Sequence, residues 1–272
     1  MILTSTLHNH CDMCDGRNSA EEMIEAAIAA GFTDFGMSCH SYAPFDIDYS
    51  IKDEAAYLAA LRGLQQKYEG RIRIAIGSEQ DLFASVQYPE AYDYIIGSVH
   101  YLKDDRGLYH AVDSNLADMR ATLDEVYAGN AMAAISDYFE NVVRVAEEQR
   151  PDIIGHFDVI KKTNGEGAWF SEDDPAYQKL ALDAIKRTAN SGAVFEVNTA
   201  PLFKKLKIDV YPSPFLLKEL LHIGAEVMIN TDAHCTEQIV YGVDQTAELL
   251  RDIGFRRVKM WQNGGYVNKS LL

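Results

Sequence analysis

The sequence predicts an α/β fold, a barrel of about seven parallel strands joined by helices, and three observations carry that reading. Short apolar, β-rich runs alternate with amphipathic helical stretches along the chain, no linker interrupts them, and metal-ligand residue types recur where the apolar runs end. Parallel neighbours need long, usually helical, connections, so strand-then-helix repetition argues for a parallel sheet. A closed β/α barrel gathers its functional side chains on the loops at the C-terminal ends of its strands. An open doubly wound sheet, the alternative, would collect them at one switch point and not from every strand. With 272 residues, 47% of them hydrophobic, residues 1–272 are expected to form one domain around a large core.

The elements follow in order. A first run, Ile2 to Leu7, ends in His8-Asn9-His10. Residues at i and i+2 of an extended strand point the same way, so His8 and His10 can reach one cation. Ser19-Ala20-Glu21-Glu22 then has the capping-box pattern, Met23, Ile24, Ala27 and Ile28 share one helical face, and Gly31 sits where a helix stops. The run Thr33 to Ser38 leads to His40, and a helix is expected over Asp53 to Tyr68. The run Arg71 to Gly77 leads to Glu79, and Tyr92 to Val99 leads to His100. Asn115 to Gln149 reads as helix with a break near Gly129-Asn130. A run over Asp152 to Phe157 carries His156, and a helix over Pro175 to Asn190 precedes the run Ala193 to Val197. After a helix over Pro214 to His222, the run Glu226 to Ile229 leads to Asp232 and His234, which repeat the i, i+2 spacing. A helix over Glu237 to Gly254 and a short strand through Arg257 to Trp261 close the chain.

Charge and composition limit the function. A formal net charge of -16 and a pI of about 4.8 disfavour a broad basic face that grips long nucleic acid. Bound divalent cations can still reverse the sign locally. No apolar run reaches the ~18 residues of a membrane span, and the early start of metal-type residues at His8 leaves no room for a presequence, so a cytoplasmic location is expected. The cysteines Cys11, Cys14, Cys39 and Cys235 each lie close in sequence to a candidate ligand. Cys11 and Cys14 form a C-x-x-C pair, which marks a zinc or redox site or else small packing residues beneath one. His110 and His222 close no apolar run and are expected to pack or face solvent. A single histidine is more often structural than ligating; the joint placement of the others points to metal.

In order along the chain, His8-Asn9-His10, Asp15 in Cys14-Asp15-Gly16, His40, Glu79, Ser98-Val99-His100-Tyr101, Gly155-His156-Phe157-Asp158 and Asp232-Ala233-His234 resemble the polymerase and histidinol phosphatase (PHP) superfamily. Glu196-Val197-Asn198-Thr199-Ala200 and Tyr211-Pro212-Ser213-Pro214 resemble its histidinol-phosphatase branch. The resemblance implies a distorted, TIM-like (β/α)7 barrel with the active site at the C-terminal strand ends and two or three divalent metal ions. It implies that His8, His10, Glu79 and Asp232 hold one metal, that Glu79 bridges to a second held by His100 and His156, and that Asp15, His40 and His234 hold a third. Such ligands suit Zn, Mn or Fe alike. Two cations about 3.5–4 Å apart can share a water and bring its pKa toward neutrality, which gives a bridging hydroxide for in-line attack on phosphorus. Asp232 and Glu79 are the expected catalytic carboxylates, Asp232 orienting that water and taking its proton.

Phosphate binding is expected from lysine, where the branch tends to carry arginine. Lys161-Lys162 and Phe203-Lys204-Lys205 occupy the stretches in question, and Lys162 and Lys204 are the expected phosphate-binding pair, the bland reading being solvated loop charges. Tyr42, Phe45, Tyr101 and Phe203 fall in βα loops where they could stack on an imidazole-bearing substrate or simply cover the rim. The function implied is hydrolysis of L-histidinol phosphate to L-histidinol and phosphate in histidine biosynthesis. The alternatives are a related hydrolase for another small phosphate ester or nucleotide, and a metal-binding regulatory or structural domain without activity. The expected partner is a small phosphorylated substrate, with no long nucleic acid and no membrane.

Overall fold

The structure is a computed structural model that describes residues 3–165, 167–206 and 208–272. Its first half comprises α1 (Ala20–Ala29), β1 (Asp34–Met37), α2 (Glu54–Lys67), β2 (Arg73–Asp81), β3 (Tyr94–Ser98), β4 (Tyr101–Lys103), β5 (Tyr109–Ala111), α3 (Leu116–Tyr127) and α4 (Ala131–Arg144). The second half comprises β6 (Ile153–Ile154), α5 (Pro175–Ala189), β7 (Val194–Asn198), α6 (Ala200–Phe203), α7 (Pro214–Ile223), β8 (Val227–Asn230), α8 (Val243–Ile253), β9 (Arg257–Gln262) and β10 (Gly265–Ser270). Eight strands form one curled sheet in the order β1-β2-β3-β6-β7-β8-β9-β10, parallel throughout except for the last antiparallel pair. The helices cover its outside, as expected of β/α units.

The first apolar run departs from expectation. Ile2 lies outside the described residues, and residues 3–7 belong to no regular strand, with a bend at Thr4. The segment nevertheless closes the barrel. The amides of Thr33 and Gly36 donate to the carbonyls of Thr4 and Thr6 on one flank (3.0 and 2.9 Å). On the other flank Leu7 N donates to the Asn230 side chain (2.9 Å), and only beyond it do backbone bonds resume, His10 N to Ala233 O at 2.8 Å. A side-chain amide thus replaces the ladder partner that a regular strand would need.

Local chemistry sets the helix ends. Ser19 and Glu22 make the reciprocal capping box of α1, and Gly31 (φ 84) follows its end. The expected break after α3 occurs at Ala128 and Gly129, both left-handed, and Asn130 caps α4. α4 then loosens into a π turn over Val145–Gln149. Inside the barrel, Gly36 and Gly77 leave space for the Tyr94 ring, whose hydroxyl reaches across to the Leu7 carbonyl. Two short hairpins, β4–β5 and β9–β10, complete the fold; the second turns on Asn263 and Gly264, both at positive φ. Among the described residues, no helix is long and apolar enough to cross a membrane.

Candidate metal centre

Each strand delivers its ligand-type residue by a short step. Glu79 lies within β2, while His40, His100 and His156 follow β1, β3 and β6 within three residues, and Asp232 and His234 follow β8. His8 and His10 come from the first segment, and Asp15 from the turn before α1. The structure brings all nine candidate ligands together around Glu79. Glu79 Oε2 lies 3.0 Å from His8 Nε2, 3.4 Å from His10 Nε2 and 2.9 Å from His40 Nδ1. Its other oxygen, Oε1, lies 3.3 Å from His100 Nε2 and 2.9 Å from His156 Nε2. Asp232 Oδ1 stands 3.2 Å from His10 Nε2 and 3.6 Å from His8 Nε2. Asp15 faces His234 (3.2 Å), His40 (3.6 Å) and His10 (3.7 Å). The three implied ligand sets are therefore contiguous: His40 turns one nitrogen to Glu79 and the other to Asp15.

This donor set fits divalent cations. His8 Nε2, His10 Nε2, Glu79 Oε2 and His100 Nδ1 are buried and make no hydrogen bond of acceptable geometry, although several lie within 3.4 Å of one another. Lone pairs converging in that way on common points are costly unless a cation occupies them. Three groups have one donor atom per residue mutually within 4.8 Å: His10-Asp15-His40-His234, His8-His10-Glu79 and His40-Glu79-His100.

The electrostatics agree. Burial pushes the carboxyls of Glu79 and Asp232 up, but the surrounding imidazoles outweigh it and hold both well below the usual carboxylate range. Asp15 is likewise lowered by His40, His234 and His10 against the effect of burial. Burial lowers His8, yet Glu196, Glu79 and Asp232 raise it well above the ordinary value. His100 is raised to about 10, because Glu79 and Asp81 more than offset its burial. The pocket thus demands positive charge, from protons or from cations.

A second layer orients the imidazoles. Glu196 Oε1 meets His8 Nδ1 at 2.6 Å, while its Oε2 accepts from His156 N (2.8 Å) and Asn198 Nδ2 (3.0 Å). Asn198 also donates to Asp232 Oδ2 (3.2 Å), so the outer oxygen of that carboxylate is engaged. Asp81 Oδ2 accepts from His100 N (2.7 Å) and lies 3.4 Å from His100 Nδ1. Asp232 itself is left-handed (φ 49), which directs it into the cluster. Glu196 and Asp81 were absent from the sequence-derived site. Glu196 and Asn198 do show the i, i+2 spacing at a strand end that marked the other pairs.

The cluster forms the floor of a cavity of 350 Å³. Lys162 and Lys204 both line it, and Lys162 is held by Asp113 at 2.6 Å. Burial raises the Asp113 carboxyl, but Lys162, His100 and His156 bring it down to about 2. Lys161 is no solvated charge. It is buried, with Nζ on Asp158 Oδ2 (3.1 Å), Val210 O (3.0 Å) and Ser213 Oγ (2.5 Å). Of the four loop aromatics only Tyr101 lines the cavity; Phe45 stacks on Tyr109, Phe203 packs on Tyr241, and Tyr42 bridges to Ser85. Tyr49 and Tyr211, not anticipated, line it as well, Tyr49 stacking on His40 at 3.7 Å. Burial pushes the Tyr211 phenol well up, and Asp158, Asp113 and Asp232 add to the effect.

The cysteines divide. Cys11 and Cys39 are buried with their sulfurs 3.4 Å apart, and Cys14 Sγ lies 3.5 Å from His10 Nδ1. No cysteine enters the donor groups found among the described residues. His110 pairs with Asp104 and His222 is exposed at the end of α7, both away from the cluster.

Fold and site together define a curled β/α barrel with an imidazole and carboxylate cluster, suited to divalent metal, at the C-terminal ends of its strands. The chain belongs to the PHP domain family, whose model matches residues 6–200. It is similar to a "Probable histidinol-phosphatase" of Deinococcus radiodurans, 27% identical over 92% of this chain and 94% of the relative. The histidinol-phosphatase of Bacillus subtilis is 23% identical over 89% of this chain and 97% of its own length. Among solved structures, histidinol phosphate phosphatase of Lactococcus lactis, crystallised with zinc, L-histidinol and phosphate, superposes with a TM-score of 0.69 at 16% identity, covering 98% of this chain and 100% of the other.

Proposed function

We propose that this protein is a metal-dependent phosphomonoesterase that hydrolyses L-histidinol phosphate to L-histidinol and phosphate, a cytoplasmic step of histidine biosynthesis. The observation that carries the proposal is the meeting of nine imidazole and carboxylate residues beneath a 350 Å³ cavity whose wall bears Lys162 and Lys204. Histidinol-phosphatase relatives matched over most of the chain favour this ester among small phosphates. His8, His10, Asp15, His40, Glu79, His100, His156, Asp232 and His234 would hold two or three divalent cations, Zn, Mn or Fe. When bound, such cations lower the pKa of water toward neutrality and offset charge on phosphate oxygens.

The chain's own groups do the rest. Glu79 presents one oxygen to the His8 and His10 side and the other to the His100 and His156 side, so it ties the two halves of the cluster. Asp232, aimed by Asn198 through Oδ2, orients the attacking water. Lys162, fixed by Asp113, and Lys204 offer point charges to the phosphate. Tyr49 and Tyr101 give the imidazole of the substrate an aromatic wall. The test is inorganic-phosphate release from L-histidinol phosphate beside mononucleotides and sugar phosphates. Selective turnover of the first supports the proposal. Turnover confined to another ester would keep the metallohydrolase and replace the substrate, and metal binding without turnover of any ester would leave a regulatory domain.

A further inference from the structure

The Tyr211-Pro212-Ser213-Pro214 corner puts a tyrosine in the cavity wall but has no role assigned so far, and several contacts tie it down. Tyr211 exchanges two backbone hydrogen bonds with Asn198 at the end of β7, Asn198 N to Tyr211 O at 2.7 Å and Tyr211 N to Asn198 O at 3.1 Å. Ser213 N donates to Asp158 Oδ2 (2.9 Å), and its hydroxyl lies 2.7 Å from Asp158 Oδ2 and 2.6 Å from Glu172 Oε2. The buried Lys161 ammonium bonds Val210 O and Ser213 Oγ on either side of the tyrosine and stands 5.2 Å over its ring. A buried ion pair, a hydroxyl and two backbone bonds thus fix a single tyrosine ring.

That ring ends in an orphan. Tyr211 is only 2% exposed, and its hydroxyl has no hydrogen-bond partner among the described residues. It lines the cavity beside His156, ring centroids 6.3 Å apart, on the wall that also carries Lys162 and Lys204. A buried phenol without a partner is destabilising in the free protein, and such groups call for an explanation. A tyrosine hydroxyl is a protonated donor at neutral pH. Beside the cluster and the two lysines, the ligand that needs a neutral donor is an anion with several acceptor oxygens.

We propose that the Tyr211 hydroxyl is a catalytic group that donates a hydrogen bond to a phosphate oxygen of the bound monoester, held ready by the Lys161–Asp158–Ser213 network. The proposal rests on the reading of the site as a phosphomonoesterase, but not on L-histidinol phosphate as its substrate. The test compares wild type with Tyr211→Phe, metal-loaded, on L-histidinol phosphate and on p-nitrophenyl phosphate, together with calorimetric binding of inorganic phosphate and thermal unfolding. Loss of a neutral donor to a charged oxygen is expected to lower kcat/KM about 10- to 100-fold on both esters and to weaken phosphate binding. Metal content should not change, and the Tm should hold or rise, because no bond within the protein is lost. Unchanged kinetics with a lowered Tm would make Tyr211 structural and overturn the proposal. A loss confined to L-histidinol phosphate would also overturn it, by assigning the hydroxyl to the alcohol part. If wild type hydrolyses only p-nitrophenyl phosphate, the substrate reading fails, and that ester together with phosphate binding still decides the role of Tyr211.

Discussion

At the scale of single residues, Glu196 shows how much of the site depends on a group that need touch neither metal nor substrate. Its two oxygens hold the outer nitrogen of His8 and the backbone of His156, ligand candidates from opposite sides of the barrel. Partners that orient a ligating imidazole commonly contribute 10–100-fold in affinity or activity, so Glu196→Gln is expected to weaken metal binding by about that factor while secondary structure is kept. Metal titration with circular dichroism checks this. The imidazoles predict a pH effect as well. With its folded pKa raised to about 10, against about 6.5 unfolded, His100 contributes stability that is full below pH ~6.5 and is lost as pH rises toward 10. Chelator-stripped protein should therefore lose Tm between about pH 6.5 and 10, and reloading with metal, which takes the place of the protons, should flatten that slope.

At the scale of elements, the loop after β6 and the segment before α7 are joined by one buried cation. Lys161 and Asp158 are almost wholly inaccessible, and removal of one partner strands the other charge. Lys161→Ala is expected to cost about 3–5 kcal/mol of stability, whereas Lys204→Ala should leave unfolding unchanged and act only on KM or kcat for phosphate esters. Denaturant unfolding separates the two. The lysines also mark a limit of sequence reading: a Lys-Lys pair reads the same whether a side chain turns to solvent, to the cavity as Lys162 does, or into the core as Lys161 does. Most helix positions were legible because caps and breakers are local, as at Ser19, Gly129 and Asn130, but the expected helix from Glu237 begins only at Val243, after a short 3-10 turn over Thr236–Gln238. The first segment was less so, since its alternation fits a strand but its partner proved to be the Asn230 side chain. The β9–β10 hairpin went unread although Asn263-Gly264, a strong two-residue turn signal, stood after the expected Arg257 to Trp261 strand.

At the scale of the whole molecule, the barrel explains why residues as distant as His10 and His234 meet: every strand of a curled parallel sheet ends on one face, and the cluster is the sum of those ends. That is also why most of the cluster was visible in the sequence, nearly every candidate ligand ending an apolar run, while Asp15 rested on the family resemblance and Glu196 and Asp81 lie in strands, β7 and β2, whose pattern did not single them out. The overall charge of -16 need not concentrate repulsion at the cavity if cations and the two lysines stand there. The central claim is that the Glu79-centred cluster binds divalent metal and thereby hydrolyses a phosphate monoester. The most direct measurement is phosphate release from L-histidinol phosphate by metal-stripped protein titrated separately with Zn, Mn and Fe, beside Glu79→Gln. The account predicts no turnover without metal, kcat/KM of about 10⁴ M⁻¹s⁻¹ or more with the right one, and a loss of at least about 100-fold in the variant. Full activity in the stripped protein, or an unimpaired Glu79→Gln, would contradict it.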